Sequence, residues 1–597
     1  MRKMAKLLLA VTLTAVLAFA LCAQAAALTP GIYEATALGF RENVTVHVKV
    51  DESSILAVDV VDCGEYPQTL VQPVLDQVPA AIVEHQSVNV DGVSGATFTS
   101  MAIRNAAKAA LEQAGGADAF LAAPPKAEIV AGEDVTVDVL VVGAGGAGCM
   151  AALGAAYEDF DGVRNDKSVM LIEKQGFIGG STMLSGGGFI AFSSLDATEE
   201  TIEATVEKAK QIAARKNSGE VNTAMLERMV RSMPDTVIKL QKLGMGFDTT
   251  TRYPQEQKVG FTNLSPYEES VTPPPYWPGY QLGIFWQRRL DRTDIDLRLN
   301  TKALELIVDN GAVVGVKVQD KTTAYNVYAK SVILATGGFA QNRALIEKYA
   351  PANVGAIPFA NAGSTGDGIV MAEAVNAKIV GNQLLGYTGS DARYGIWDDF
   401  SPKFRRLVGR SVHVNAEGLR YADDTLGDDN IEFDNVMAQP GGYAWGIIDS
   451  NSKCAPFLKN TRHTSLVFSA DTLEELAEKI KVPTDAFVDT INRYNEAYAA
   501  GEAAEFGSPN EKLAPVLQAP YYAYRINPIA LSSLVSLKVT ENFEVVNTED
   551  EIIKGLYAAG DMCFGGNLVT TYQGAWGVGT ALYTGRLAGE SARDYAE

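Results

Sequence analysis

The sequence predicts an α/β protein in which a Rossmann-type nucleotide-binding body follows a small α+β domain. Three observations carry that prediction. The chain of 597 residues has room for about three or four domains of ~150 residues. Its composition, 47% hydrophobic and 20% charged, is that of folded cores rather than of a disordered or many-span membrane chain. Its glycines cluster as Gly143-Ala144-Gly145-Gly146-Ala147-Gly148 between an apolar strand and an Ala-rich helix, the frame in which a pyrophosphate meets a helix amino end.

The first residues read as an address. Arg2, Lys3 and Lys6 precede the apolar run Leu7 to Leu21 and the small residues Ala23-Gln24-Ala25-Ala26-Ala27, the pattern of an export signal over residues 1–25. The alternative is an uncleaved anchor, and the run is shorter than the ~20 residues a spanning helix needs. Export places the mature chain in the periplasm, outside the cell or on its surface. With 50 Lys plus Arg against 72 Asp plus Glu, the net charge of -22 disfavours nucleic acid as a partner. Beyond the signal, Cys63, Cys149, Cys454 and Cys563 show no close-spaced pair, so neither a zinc or iron–sulfur site nor an obligatory disulfide is expected.

Residues 28–117 read as the compact α+β domain, with strands over Val44 to Val50 and Ile55 to Val61 and a helix over Ser100 to Ala114. Residues 118–134, with Pro124-Pro125 inside, read as a linker. Within the small domain, Asp91-Gly92-Val93-Ser94-Gly95-Ala96-Thr97-Phe98-Thr99-Ser100 is a turn feeding a helix. Its glycines allow close backbone approach, and its hydroxyls stand where helix amides favour a phosphate; a plain Ser/Thr helix cap fits the spacing equally well. The string resembles the attachment motif of the exported FMN-binding domain family. That resemblance implies FMN held covalently, through a phosphoester, on Thr97.

In the larger body, Val137 to Val142 is an apolar strand leading into Gly143, Gly145 and Gly148. A second strand, Val169 to Ile172, ends in Glu173, where a carboxylate can accept ribose hydroxyls. Three further strings follow. Gly179-Gly180-Ser181-Thr182 precedes Ser185-Gly186-Gly187-Gly188; Val332 to Leu334 runs into Ala335-Thr336-Gly337-Gly338 and, later, Gly366-Asp367-Gly368; Gly560-Asp561 precedes Gly577-Val578-Gly579-Thr580. Together these resemble the flavoprotein subunits of fumarate reductase and succinate dehydrogenase and their exported relatives, among them urocanate reductases and 3-ketosteroid dehydrogenases. The resemblance implies noncovalent FAD, an FAD-binding domain in two parts (135–385 and 517–597), and an inserted α+β capping domain over 386–516. It places Asp561 at the ribityl chain and the helix start at Gly579 and Thr580 near the pyrimidine end of the flavin.

The likeness breaks at the substrate. Fumarate reductases hold a dicarboxylate with arginines and histidines. Here Asp428 falls near the place of the proton-donating arginine, Tyr387-Thr388-Gly389 replaces a His-Pro-Thr string, and Ile529 to Val535, where a histidine pair belongs, contains none. Asp423, Asp424, Asp428 and Asp429 read as a solvated face, and no metal is assigned. Thr571-Tyr572-Gln573-Gly574 resembles the Thr-Tyr-Pro-Gly string of ketosteroid dehydrogenases, which implies that Tyr572 donates a hydrogen bond to a substrate carbonyl. Such a donor is typically worth ~3 kcal/mol to an enolate-like transition state. Tyr387 and Arg410 are the candidate acids for the alpha carbon.

The chain is therefore expected to be an exported reductase of a carbon–carbon double bond conjugated to a small-molecule carbonyl, other than fumarate. A membrane-associated donor would feed it through covalent FMN to FAD. The alternatives are a ketosteroid-type dehydrogenase, a fumarate or urocanate reductase-like enzyme, and a flavin carrier without catalysis.

Overall fold

The computed structural model describes residues 28–39, 43–65, 68–93, 96–124, 128–158, 164–192, 198–216, 221–250, 261–267, 278–389, 411–426, 429–459, 466–568 and 576–597. The chain forms two compact units, Met1–Glu128 and Ile129–Glu597.

In the first unit, strands Gly31–Leu38, Asn43–Val50 and Ile55–Cys63 pair antiparallel in sequence order. Alternation on the middle strand turns Val44, Val46, Val48 and Val50 inward, none more than 3% exposed. Helices Gln68–His85 and Thr97–Gln113 pack against the sheet. The second does so through Ala102, Ile103, Ala106, Ala107 and Ala110, an apolar stripe at helical spacing. The first helix contains Pro73 and Pro79, each of which removes a helix hydrogen bond, and this masks it in the sequence.

The predicted linker 118–134 is largely absorbed by the two units. Asp118–Phe120 forms a short turn whose Phe120 carbonyl accepts the Val88 N–H at 2.9 Å, while Val130–Ala131 joins the large sheet beside Thr323–Ala324.

The second unit is built on a nine-stranded sheet. Its main path runs Asp296–Arg298, Val169–Ile172, Val135–Val142, Thr323–Leu334, Ala312–Gln319 and Lys302–Asp309, and Ile552–Ala558 lies parallel to the end of Thr323–Leu334. The strands Val135–Val142 and Val169–Ile172 are parallel, and where they pair, Val139 to Val142 and Val169 to Ile172 are apolar and buried on both faces, as a sheet sandwiched by helices requires. Helix Gly146–Ala156, wholly buried, lies against the carboxyl-terminal helix Trp576–Tyr595. A Cβ at Gly585 would stand 2.3 Å from the Ala147 carbonyl oxygen and one at Gly589 2.2 Å from that of Ala151, so these glycines let the two helices touch backbone to backbone.

A second sheet of six strands carries the cap. Its long strand Tyr521–Ser533 pairs with Leu384–Gly389, Ala444–Ile448 and Val467–Ala470. Residues beyond 516 also pack with the expected capping domain. Tyr522, Tyr524 and Ile526 share a core with Val436 and Cys454, and Ala523 shares one with Val412, Trp445 and Phe487. The other end of the same strand, from Ala530 onward, packs with the FAD-domain core. One continuous strand thus serves both layers.

The acidic loop of the cap is not uniformly solvated either. Asp424 pairs with Arg420 at 3.0 Å with both side chains 1% exposed, and Arg420 also donates to the Glu505 carbonyl and the Ser508 hydroxyl.

Candidate functional site: a dinucleotide cradle

The cradle begins where Val135–Val142 turns into its following helix. Gly143 has φ 102°, and a Cβ there would lie 2.6 Å from the Ala335 carbonyl oxygen; one at Gly148 would lie 1.7 Å from that of Gly143. Only glycine fits either position. Gly145 caps the helix without any side-chain cap, and no acid occupies the first turn, so the amide end is open to an anion. The turn Gly179-Gly180, with φ 108° and 50°, lies alongside, and its Gly179 N–H donates to the Ala144 carbonyl at 2.7 Å. Ser181 follows on the short helix Gly180–Leu184, its hydroxyl 3.5 Å from that of Ser364.

Glu173 is 8% exposed. Its carboxylate accepts the Ala144 N–H at 2.9 Å and the Gln175 N–H at 2.8 Å. Burial pushes its pKa upward, against the pull of those two donors. Each oxygen keeps a further lone pair for a hydroxyl. Next to it, Lys174 donates to Thr365 at 2.6 Å and to Asp367 at 2.7 Å, so Asp367 is held by a partly buried ion pair.

On the other side of the Val135–Val142 strand, Thr323–Leu334 leads into Thr336 and Gly337. Gly337 has φ 74° and open space where a Cβ would stand. Gly338 packs against Ser532 and Ser533, and the Ser532 hydroxyl donates to Asp561. Burial raises the Asp561 carboxyl above its usual range, opposed by that hydroxyl and by the Gly338 N–H. Gly579 and Thr580 lie in the first turn of the carboxyl-terminal helix, and the Thr584 hydroxyl accepts the neighbouring Gly560 N–H.

Three buried polar atoms of this cradle have no hydrogen-bond partner among the described residues: Thr336 Oγ1, Thr580 Oγ1 and Asn361 Nδ2. An unsatisfied buried polar group costs about 1–3 kcal/mol, so these atoms fit a cofactor rich in hydroxyls, carbonyls and phosphates. Asn361 and Ser532 have no sequence signature of their own. Asn361 comes to the cradle through tertiary placement, its backbone N–H 3.4 Å from the Ser181 hydroxyl.

In the first unit, Thr97 opens helix Thr97–Gln113. Ala96 supplies no side-chain cap, and the first turn again lacks an acid. The turn before it is fastened by Ser100, which accepts the Val93 N–H at 3.0 Å and donates to the Ala96 carbonyl. Thr99 donates to the buried Glu65 at 2.9 Å. The Thr97 side chain, Ser94 and Gly95 lie outside the described residues, as do Arg410, Asp428 and Tyr572. Tyr387 sits on Leu384–Gly389 opposite Ile529, 4% exposed, in an apolar cluster flanked by Ile357, Phe359 and Leu531.

Fold and cradle define a flavin-dependent oxidoreductase built from two nucleotide-binding units. Comparison with known families agrees, matching the FAD binding domain over residues 138–575 and the FMN-binding domain over residues 39–112. The chain belongs to the FAD-binding family, whose profile covers most of it.

Among its relatives is a probable fumarate reductase of Shewanella frigidimarina, 29% identical over 78% of this chain and 76% of that protein. An NADH:acrylate oxidoreductase of Vibrio harveyi is 28% identical over 94% of this chain, which spans only 61% of that longer protein. Among solved structures, the open conformation of a flavocytochrome c3 fumarate reductase superposes with a TM-score of 0.61 at 26% identity, covering 77% of this chain and 79% of that one.

Proposed function

We propose that the protein reduces a carbon–carbon double bond conjugated to a carbonyl, with electrons reaching its FAD through FMN attached at Thr97. The observation that carries the reading is the union of an FMN-binding and an FAD-binding domain on one chain. The acrylate-reducing relative, which matches across nearly the whole length, supports an unsaturated acid or its analogue as acceptor. The bound FAD would supply the hydride chemistry. Thr336, Asn361, Asp561 and Thr580 would hold it, with Gly143, Gly145, Gly148 and Glu173 at the dinucleotide end.

The chain's own part in the reaction is to polarise the substrate and deliver a proton. In this proposal Tyr572 donates to the substrate carbonyl, and Tyr387 or Arg410 supplies the proton to the alpha carbon. In this reading Asp428 falls near the place of the proton-donating arginine and Ile529 to Val535 carries no histidine, which supports an acceptor other than fumarate because dicarboxylate-binding cations are missing there.

Export by residues 1–25 and a membrane-associated donor complete the proposal. No described helix is long and apolar enough to cross a membrane. The test is a screen of enones, acrylates and fumarate with reduced viologen as electron source. Turnover of a conjugated enone or monocarboxylate with slow fumarate reduction supports the reading; rapid fumarate turnover refutes its substrate part.

A further inference from the structure

Helix Thr97–Gln113 turns one face to the sheet of the first unit and leaves the other to solvent. Ser100, Ala102, Ile103, Ala106 and Ala107 are at most 1% exposed, so the inner face is filled by the fold itself. On the outer face Phe98 is 43% exposed and Met101 45%. Positions three apart meet on a helix surface, so these two side chains form one patch, and Met101 stands one turn beyond Thr97.

Among the described residues of the stretch that matches the FMN-binding domain, the other large apolar side chains left exposed are Leu56 and Val61, both on strand Ile55–Cys63. Phe98 and Met101 differ from them in lying within a turn of the expected flavin-attachment position. Their surroundings are also fixed. Ser100 accepts the Val93 N–H at 3.0 Å and donates to the Ala96 carbonyl at 2.9 Å. Arg104, three positions after Met101, donates to the Val88 carbonyl at 3.0 Å and to Asn89 at 2.9 Å. The helix start is thereby pinned to the segment before it while two large apolar groups stay in water, which is unfavourable unless something covers them.

We infer that Phe98 and Met101 form the seat of the FMN isoalloxazine ring, an inference that rests on the proposed attachment at Thr97. The ring is broad, flat and largely apolar at its benzenoid end. A phenyl side chain packs on the face or edge of such a group, and a thioether adapts to it with favourable sulfur–aromatic contacts. The tether supplies the rest. A ring linked to Thr97 stays within reach of residues 98 and 101, so its effective concentration there is high and a small apolar contact is enough to hold it. The covalent bond fixes the phosphate end, and the seat fixes the orientation of the ring.

The experiment is iodide quenching of FMN fluorescence in the full chain carrying both flavins, made in a host able to attach FMN. The Thr97→Ala chain, holding FAD alone, provides the signal to subtract, and the mass of the peptide containing Thr97 reports attachment in the parent and in each variant. FMN in the parent should be at least about twofold less quenchable than free FMN, since one face of the ring is covered. Met101→Gln and Phe98→Gln should each raise quenching towards the free value, while Met101→Leu, which keeps the apolar cover, should stay near the parent. Both positions are exposed and glutamine is a good helix former, so the fold is kept. Parent FMN as quenchable as free FMN, unchanged quenching in either glutamine variant, or Met101→Leu behaving as Met101→Gln would each overturn the seat with the attachment intact. A parent peptide without the FMN mass would overturn the attachment and the seat with it.

Discussion

The Glu173 carboxylate accepts the Ala144 N–H at 2.9 Å, so the acid that ends one strand clasps the glycine loop that leaves its neighbour. The sheet edge and the loop are thereby fixed to each other before any cofactor binds. Glu173→Gln replaces one acceptor oxygen with an NH2 group that must face a backbone donor. We expect FAD retention to fall about tenfold or more, read as the flavin-to-protein ratio after dialysis, with a loss of about 1–3 kcal/mol in denaturant unfolding.

The orphaned hydroxyls give a sharper prediction. Thr580→Val should leave the FAD-free chain as stable as the parent or slightly more stable, because it removes a buried hydroxyl that has no partner among the described residues. The same substitution should weaken FAD binding by roughly tenfold. Parallel melting and flavin titration separate the two effects. A variant equally weakened in both measurements would mean that the hydroxyl serves the fold.

Acidity offers a third test. Glu173 and Asp561 are both raised by burial above their ordinary values of 4.5 and 3.8. In the window above those values the folded chain holds more protons at these sites than the unfolded chain, so their contribution to stability declines as pH rises through the window. Asp561→Asn removes the ionisation and should flatten that decline in the FAD-free protein. Denaturant unfolding across the pH range, parent against variant, measures the difference; a steeper decline in the variant would contradict the assignment.

In the cap, removing Arg420 leaves Asp424 charged and uncompensated in a site where both side chains are 1% exposed. Arg420→Met should therefore cost about 3–5 kcal/mol. Arg420→Met with Asp424→Leu should recover much of that loss. The measurement is the cap's unfolding transition, followed by hydrogen exchange of strand Val412–Val414.

These predictions rest unevenly on what the sequence displays. The glycine loop and Glu173 are legible because steric exclusion leaves few residue choices: a side chain at Gly143 or Gly148 would strike backbone oxygen. Asn361 and Ser532 are not legible. They reach the cradle through contacts distant in sequence, from Asn361 to Ser181 and from Ser532 to Asp561. The two-layer role of Tyr521–Ser533 is hidden for a different reason, since hydrophobic patterning reports that a strand is buried but not which cores it divides. Asp424 shows the same limit: its acid-rich neighbours suggest solvent, and only its four-residue spacing from Arg420 hints at a pair.

The proposed electron path needs two flavins held in different ways. Protein from a host able to attach FMN is denatured and the free flavin is separated from the chain. The account predicts that FAD leaves, that FMN stays with the polypeptide as an added mass on the peptide containing Thr97, and that Thr97→Ala abolishes the bound fraction while leaving FAD content unchanged. Release of all flavin from the parent chain, or flavin still attached in Thr97→Ala, would contradict it.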